Sequence, residues 1–275
     1  MPTVDTAGAR IAYTDTGRGP AVLLIQGIGV VGEGWRPQVQ GLAERFRVLT
    51  FDNRGIGGSE LRGGAVSIEA MAADAWAVAD AAGVEHVHLV GHSMGGLIVQ
   101  AAALAAPARV KSLSFLCTFA RGAQAAKMSP GMFVTFMRTR LGTRAMRRSA
   151  FLSIVMTPKA LAGQDAAGRA TLAAELAPLF GHDLADQPPI VMKQLRASSR
   201  FDAHARLREL AAIPTFVLSA ADDRIARPAY GRELAAAIPG ARYEELPDAA
   251  HGVPIHDAVR INDRLRAHLD AAEGV

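Results

Sequence analysis

Gly91-His92-Ser93-Met94-Gly95-Gly96 is the stretch on which the fold turns. It follows the apolar run Val87-His88-Leu89-Val90, which has strand length, and it leads into Leu97-Ile98-Val99-Gln100-Ala101-Ala102-Ala103-Leu104, which reads as a buried helix. A serine set between glycines at a strand-to-helix turn has the pattern of a nucleophile elbow. The tight turn strains the serine backbone and brings neighbouring chain so close that side chains at Gly91 and Gly95 would clash. What results is an exposed hydroxyl at a helix N-terminus, and the rest of the chain has to supply a base, an acid and donors for an oxyanion.

Composition bounds the classes in which such a serine can act. The chain of 275 residues is 50% hydrophobic and 20% charged, as a folded globular protein is and a disordered one is not. The opening Met1-Pro2-Thr3-Val4-Asp5 shows no basic segment followed by an apolar run, so no signal peptide is read there, and no apolar stretch suggests an integral membrane span. A single cysteine, Cys117, rules out an internal disulfide and fits a reducing cytoplasm; at the end of an apolar run it reads as packing. The net charge of +4 is mild and aromatics are few, which argues against nucleic acid as partner. Oligomeric state is not legible.

Upstream, Ala7-Gly8-Ala9-Arg10 before Ile11-Ala12-Tyr13 suggests an opening hairpin, and Ala21-Val22-Leu23-Leu24-Ile25 a strand covered on both faces. That strand ends in Gln26-Gly27-Ile28-Gly29-Val30-Val31-Gly32. Gly27, Gly29 and Gly32 match G-x-G-x-x-G, and Asp52 closes the next strand, Arg47-Val48-Leu49-Thr50-Phe51, where a ribose-binding acid would stand. A dinucleotide site, however, needs a helix that begins inside the glycine motif. Pro37 would interrupt such a helix, whereas it suits the first turn of one begun near Trp35. The glycines therefore read as a wide loop, one backbone N–H of which can point where the N–H after the serine points. Ile28 and Met94 are the candidate oxyanion-hole amides.

After Asp52 comes Asn53-Arg54-Gly55-Ile56-Gly57-Gly58-Ser59. With the elbow, this string resembles the α/β-hydrolase superfamily, in which D-x-R-G-x-G-x-S commonly follows the strand after the oxyanion loop. The resemblance implies a mostly parallel central sheet flanked by helices, with a helical cap inserted before the strand that carries the catalytic acid. On that basis residues 1–119 and 213–275 form the core and 120–212 the cap. Asp52 and Arg54 are expected to organise their turn, and Ser67 opens an alanine-rich helix that runs to Ala82 before Gly83. Gln26 departs from the family, where histidine is common before that loop glycine; its amide can still brace the loop.

Val110 to Phe119 reads as the next strand, and helical patterning follows as far as Ile213. Met128, Met132, Met137, Met146, Met156 and Met192 in that segment suit an adaptable apolar pocket roof, although ordinary packing explains any one of them. Arg121, Lys127, Arg138, Arg140, Arg144, Arg147, Arg148 and Lys159 precede its first acidic residue, Asp165, and read as a solvated basic face.

Pro214 to Ser219 resumes the strand pattern before Ala220-Ala221-Asp222-Asp223. The family ends this strand G-x-x-D, which maps the acid to Asp223, with Ala220 where glycine is usual and Asp222 as the neighbour to discriminate against. Arg242 to Leu246 is a last strand, and the loop before the terminal helix, Ile255 to Asp270, holds His251, where the superfamily places its base. His256 is expected on the surface, and His92 to pack beside the serine. His86 and His88 find no further ligand in sequence, so no metal and no cofactor is expected.

The order Ser93, Asp223, His251 implies acyl transfer: a serine esterase acting on small or apolar carboxylic esters. A lactonase, a carbon–carbon bond hydrolase and a cofactor-free perhydrolase would use the same residues. A non-catalytic ligand receptor and a dinucleotide-dependent oxidoreductase are the alternatives from other classes.

Overall fold

The computed structural model describes residues 1–127 and 129–275; Met128, one of the expected roof methionines, lies outside the described residues. The opening hairpin is β1 (Thr3–Thr6) and β2 (Ala9–Thr16), turning at Gly8. β3 (Ala21–Ile25) and β4 (Arg47–Phe51) coincide with the two apolar runs that flank the glycine loop. The short β5 (Glu60–Leu61) pairs with β2 at the edge. β6 (Val87–His92) leads to the serine, and β7 (Val110–Leu116), β8 (Thr215–Ala220) and β9 (Arg242–Leu246) follow.

The strand order is β1-β2-β4-β3-β6-β7-β8-β9, with β2 antiparallel to β1 and β4 and every pair from β4 to β9 parallel. Parallel strands covered on both faces have no solvated side, so β3, β6 and β8 are buried at every residue. The carboxyl ends of these strands open on one edge of the sheet, where ligands bind in open α/β folds.

Between β3 and β4 lies α1 (Arg36–Leu42), with Pro37 in its first turn after a short 3₁₀ turn, Gly32–Trp35. No α-helix opens inside the glycine motif, and Asp52 is occupied otherwise: its Oδ1 accepts from Gly32 N at 2.6 Å and its Oδ2 from Gly58 N at 2.8 Å. Arg54, also buried, makes a two-pronged ion pair with Asp74 at 2.7 Å for each contact. Both residues thus hold the turn together. Asp74 lies on α2 (Ile68–Ala81), whose first turn is capped by Ser67 Oγ accepting from Ala70 N. α3 (Met94–Ala105) follows the elbow and binds back to α2 through Trp76 Nε1, which donates to Ala102 O.

β7 stops at Leu116, short of the expected Phe119, because Cys117 turns the chain at φ 46°. The turn brings Thr118 against the elbow. From there to β8 the chain is helical: α4 (Pro130–Arg138), α5 (Arg144–Val155), α6 (Pro158–Ala162), α7 (Ala166–Phe180) and α8 (Val191–Arg200). These helices keep an apolar cluster of their own around Leu152, Leu176, Leu179 and Phe180, into which Val30 of the glycine loop inserts. α9 (Pro228–Ala237) joins β8 to β9, and α10 (Val253–His256) and α11 (Ala258–Glu273) end the chain in place of one continuous helix.

Among the described residues no helix is long and apolar enough to cross a membrane, and no cluster of three or more His, Cys, Asp or Glu side chains forms a metal cage. His86 is exposed ahead of β6, while His88 is buried between Ser112 Oγ at 2.8 Å and Glu273 Oε1 at 2.9 Å. His256 corrects the surface expectation: it is half-buried, its Nε2 has no partner among the described residues, and burial lowers its basicity.

Candidate active site

Ser93 stands between β6 and α3 at φ 55°, ψ −121°, a conformation that a residue with a Cβ adopts only when its surroundings enforce it. Those surroundings are specific. Its N–H donates to Leu116 O at 3.1 Å, and its carbonyl accepts from Thr118 Oγ1 at 2.5 Å and from Gly96 N at 3.0 Å. The glycines have the steric role their spacing suggests: a Cβ on Gly91 would strike the Gly95 carbonyl, and one on Gly95 would strike the carbonyl oxygen of Ile25. Only bare backbone fits where β3, β6 and α3 converge.

His251 comes from the loop after β9. Its Nε2 lies 3.1 Å from Ser93 Oγ, and its Nδ1 lies 2.7 Å from Asp223 Oδ2. With Nδ1–H donating to the carboxylate, Nε2 of the neutral ring is left as acceptor for the serine hydroxyl. The other oxygen of Asp223 accepts from the N–H groups of Ile225 and Ala226, both at 2.8 Å, which fixes the carboxylate in the loop after β8. Asp223 is buried, whereas Asp222 points into solvent. The structure therefore brings Ser93, His251 and Asp223 into one hydrogen-bonded chain and leaves Asp222 out of it.

Two further groups surround this chain. His92 Nε2 donates to the carbonyl of His251 at 2.8 Å, and its burial depresses its basicity to about 3, so it is a neutral ring. Cys117 is buried and its thiol is pushed well up, first by burial and then by the nearby Asp223 charge. A thiol held in that form is not a nucleophile.

Ile28 and Met94 flank the serine on two different elements. Met94 is the first residue of α3, where an N–H has no intrahelical acceptor and the helix dipole is positive. Ile28 follows Gly27, which backs onto the serine so closely that a Cβ there would lie 2.9 Å from Ser93 Cβ. Among the described residues the Ile28 N–H has no protein acceptor. Gln26 is buried; its Oε1 accepts from Gly27 N at 3.2 Å, so the departure from histidine still braces the loop.

A cavity of about 180 Å³ opens over Ser93 and His251. Its walls come from the glycine loop and from the helices between β7 and β8, chiefly Phe136, Phe151, Phe180, Val191 and Leu195. The methionine roof is corrected: of the described methionines only Met132 lines the cavity, and Met146 and Met192 are exposed on outer helix faces. The basic face is solvated as expected, and several of its cations are paired. Arg144 pairs with Asp183 and Asp186, Arg148 with Asp183, and Arg121 with Glu233 and Asp202. Those acids lie later in the chain and return to the arginines only in the fold.

Comparison with known proteins agrees with this fold. A family model described as alpha/beta hydrolase fold matches residues 20–258. A protein of Azorhizobium caulinodans that bears the provisional name carbamate hydrolase RutD is 34% identical over 253 residues, 91% of each chain. Among solved structures, the enol-lactonase of Burkholderia xenovorans LB400 is similar at 28% identity and TM-score 0.80, covering 98% of this chain and 99% of its own. A thermophilic esterase from Thermogutta terrifontis is similar at 25% identity and TM-score 0.78, with 98% and 97% covered. These relatives support a hydrolytic role. Sheet order, elbow and family match lead to one assignment: the chain belongs to the α/β-hydrolase fold family.

Proposed function

We propose that the protein is a serine hydrolase that cleaves small or apolar carboxylic esters through an acyl-enzyme. The observation that carries this reading is the chain Ser93–His251–Asp223 at the floor of an apolar cavity. Ser93 Oγ attacks the ester carbonyl while His251 Nε2 takes its proton; Asp223 holds the imidazole tautomer and stabilises the imidazolium. The Ile28 and Met94 amides receive the oxyanion, a contact worth on the order of 10²–10³ in rate for each donor lost. The tetrahedral intermediate collapses as His251 returns the proton to the departing alcohol. Water, activated by the same ring, then releases the acid. Nucleophile, base and oxyanion donors all come from the chain itself, so the mechanism calls on no cofactor.

Residues 120–212 act in this reading as a cap on a core of 1–119 and 213–275, since the cavity walls are drawn from both. The buried free thiol of Cys117 supports a reducing compartment, the cytoplasm. A lactone is the second substrate class, favoured by the similarity to an enol-lactonase.

The test is a panel of chromogenic esters of rising acyl length, simple lactones and carbamates on the wild type and on Ser93→Ala. Lys127 and Arg224 line the cavity without a carboxylate partner among the described residues, so half-esters of dicarboxylic acids belong in the panel. Turnover is expected in the wild type, with an acyl group on Ser93 by mass spectrometry. Turnover by Ser93→Ala near the wild-type rate would sink the mechanism.

A further inference from the structure

The glycine loop is held from two sides, and the holding stops at one peptide. On the sheet side, the peptide joining Gln26 to Gly27 is fixed at both polar atoms: its carbonyl accepts from Asn53 Nδ2 at 3.1 Å and its N–H donates to Gln26 Oε1. On the other side, Gly29 N donates to Gln194 Oε1 at 2.9 Å and Gly29 O lies 3.1 Å from His182 Nε2. Gln194 belongs to α8 and His182 to the connection after α7, so both come from the helical segment inserted between β7 and β8. The peptide between these two fixed stretches joins Gly27 to Ile28. It carries the Ile28 N–H, for which the described residues supply no protein acceptor.

The residues doing this are placed for it. Gly29 takes φ 71°, the left-handed conformation that turns its N–H and carbonyl to the helical segment, and a Cβ there would lie 2.9 Å from Val191 Cγ2, so α8 rests directly on the loop. Gln194 is fully buried, its Oε1 is used and its Nε2 has no partner among the described residues. A buried amide with an orphaned NH₂ is a poor choice for packing, and its oxygen is the part that works. His182 places Nε2 at 3.1 Å from Gly29 O and Nδ1 at 2.9 Å from Asp183 O, and in its Nε2–H tautomer it donates to Gly29.

Building on the acyl-enzyme reading above, we propose that Gln194 and His182 are positioning residues that aim the Ile28 N–H at the oxyanion, so that oxyanion stabilisation depends on how the helical segment sits on the loop. Neither side chain touches the reacting atoms. Their effect appears when negative charge develops on the carbonyl oxygen, and ground-state binding is affected little.

The experiment measures kcat and KM with p-nitrophenyl acetate, and the Kd of a short-chain trifluoromethyl ketone, for wild type, Gln194→Met and His182→Leu, with circular dichroism and Tm on each. The ketone accepts Ser93 Oγ at its carbonyl carbon, the serine proton passes to His251, and the resulting alkoxide occupies the oxyanion position. Gln194→Met is expected to lower kcat about 10-fold and to weaken the ketone by the same factor, with KM changed less than about threefold; His182→Leu is expected to do the same to a smaller extent. An unchanged kcat, a loss confined to KM, or a kcat loss without weaker ketone binding in a folded variant overturns the proposal. Should Gln194→Met fail to fold, the His182→Leu result decides by the same criteria. If Ser93→Ala still turns over the ester, the acyl-enzyme reading itself has failed; if Ser93→Ala is dead and the other two variants match wild type, only the positioning proposal has.

Discussion

His92 and His251 are bound to each other through the main chain: the Nε2–H of His92 reaches the carbonyl oxygen of His251 at 2.8 Å, with the two rings 4.9 Å apart. The bond fixes the loop that carries the proposed base without drawing on the imidazole nitrogens that face Ser93 and Asp223. Because burial holds His92 near a pKa of about 3, it remains a neutral donor across the working range. His92→Phe is therefore expected to lower kcat about 10-fold, the loss of one positioning hydrogen bond, and to leave the acidic limb of the pH–rate profile where it was. Steady-state kinetics from pH 5 to 9 check both points; a shifted limb would identify His92 as a titrating participant.

Asp223 and Asp222 are adjacent in sequence but differ in environment, one buried against His251 Nδ1 and clasped by two amides, the other exposed. Asp223→Asn should reduce kcat by about 10⁴, because the imidazole then loses its fixed tautomer. Asp222→Asn should stay within about twofold. Parallel rate measurements on the two variants decide the assignment, and a costlier loss at Asp222 would reverse it.

Arg54 and Asp74 form a buried ion pair that is further bound by Thr6 Oγ1 on the acid and by the carbonyls of Ala65 and Ala70 on the base. Removing one partner strands the other charge away from water, at a cost of about 3–5 kcal/mol. Asp74→Ala should lower Tm by about 10 °C or more, and the double variant Arg54→Met with Asp74→Ala should recover part of that loss. Thermal denaturation of the three proteins reads it directly.

Acid should weaken the fold through its buried imidazoles. Burial lowers His92 to about 3 and His268 to about 4, the latter despite its hydrogen bond to Leu113 O. Below pH 6.5 the unfolded chain takes up protons on these rings that the folded chain refuses. Stability is thus complete above about pH 6.5 and is lost as pH falls towards about 4 for His268 and about 3 for His92, by at most about 1.4 kcal/mol per pH unit for each ring. Urea midpoints at pH 7.5 and 4.5 should differ accordingly, and His268→Phe should flatten the difference.

The parts that the sequence announces are those fixed by neighbours along the chain. β3 and β4 fall on their apolar runs because a strand covered on both faces leaves that pattern. Pro37 told the wide loop from a dinucleotide helix, since one proline decides where a helix can start. What escaped depends on residues distant in sequence. The arginines of the helical segment look unpaired until Asp183 and Asp186 fold back upon them, and which face Met146 or Met192 presents is decided by the packing of α5 and α8. Gln194 gives no local sign that it binds Gly29, because nothing in a helix sequence reveals which turn will meet a loop far upstream.

The pieces of the proposed site are scattered along the chain, from Ile28 through Ser93 to Gln194, Asp223 and His251. Read in the order of synthesis, this makes assembly a late event. The serine after β6 is synthesised well before the proposed base, and a fragment that stops before His251 lacks the ring that lies 3.1 Å from that hydroxyl in the complete fold. Contacts of such long range are also slow to form. A nascent or partly folded chain therefore carries a serine that is chemically quiet, and hydrolysis would begin only when the last loop closes on the first.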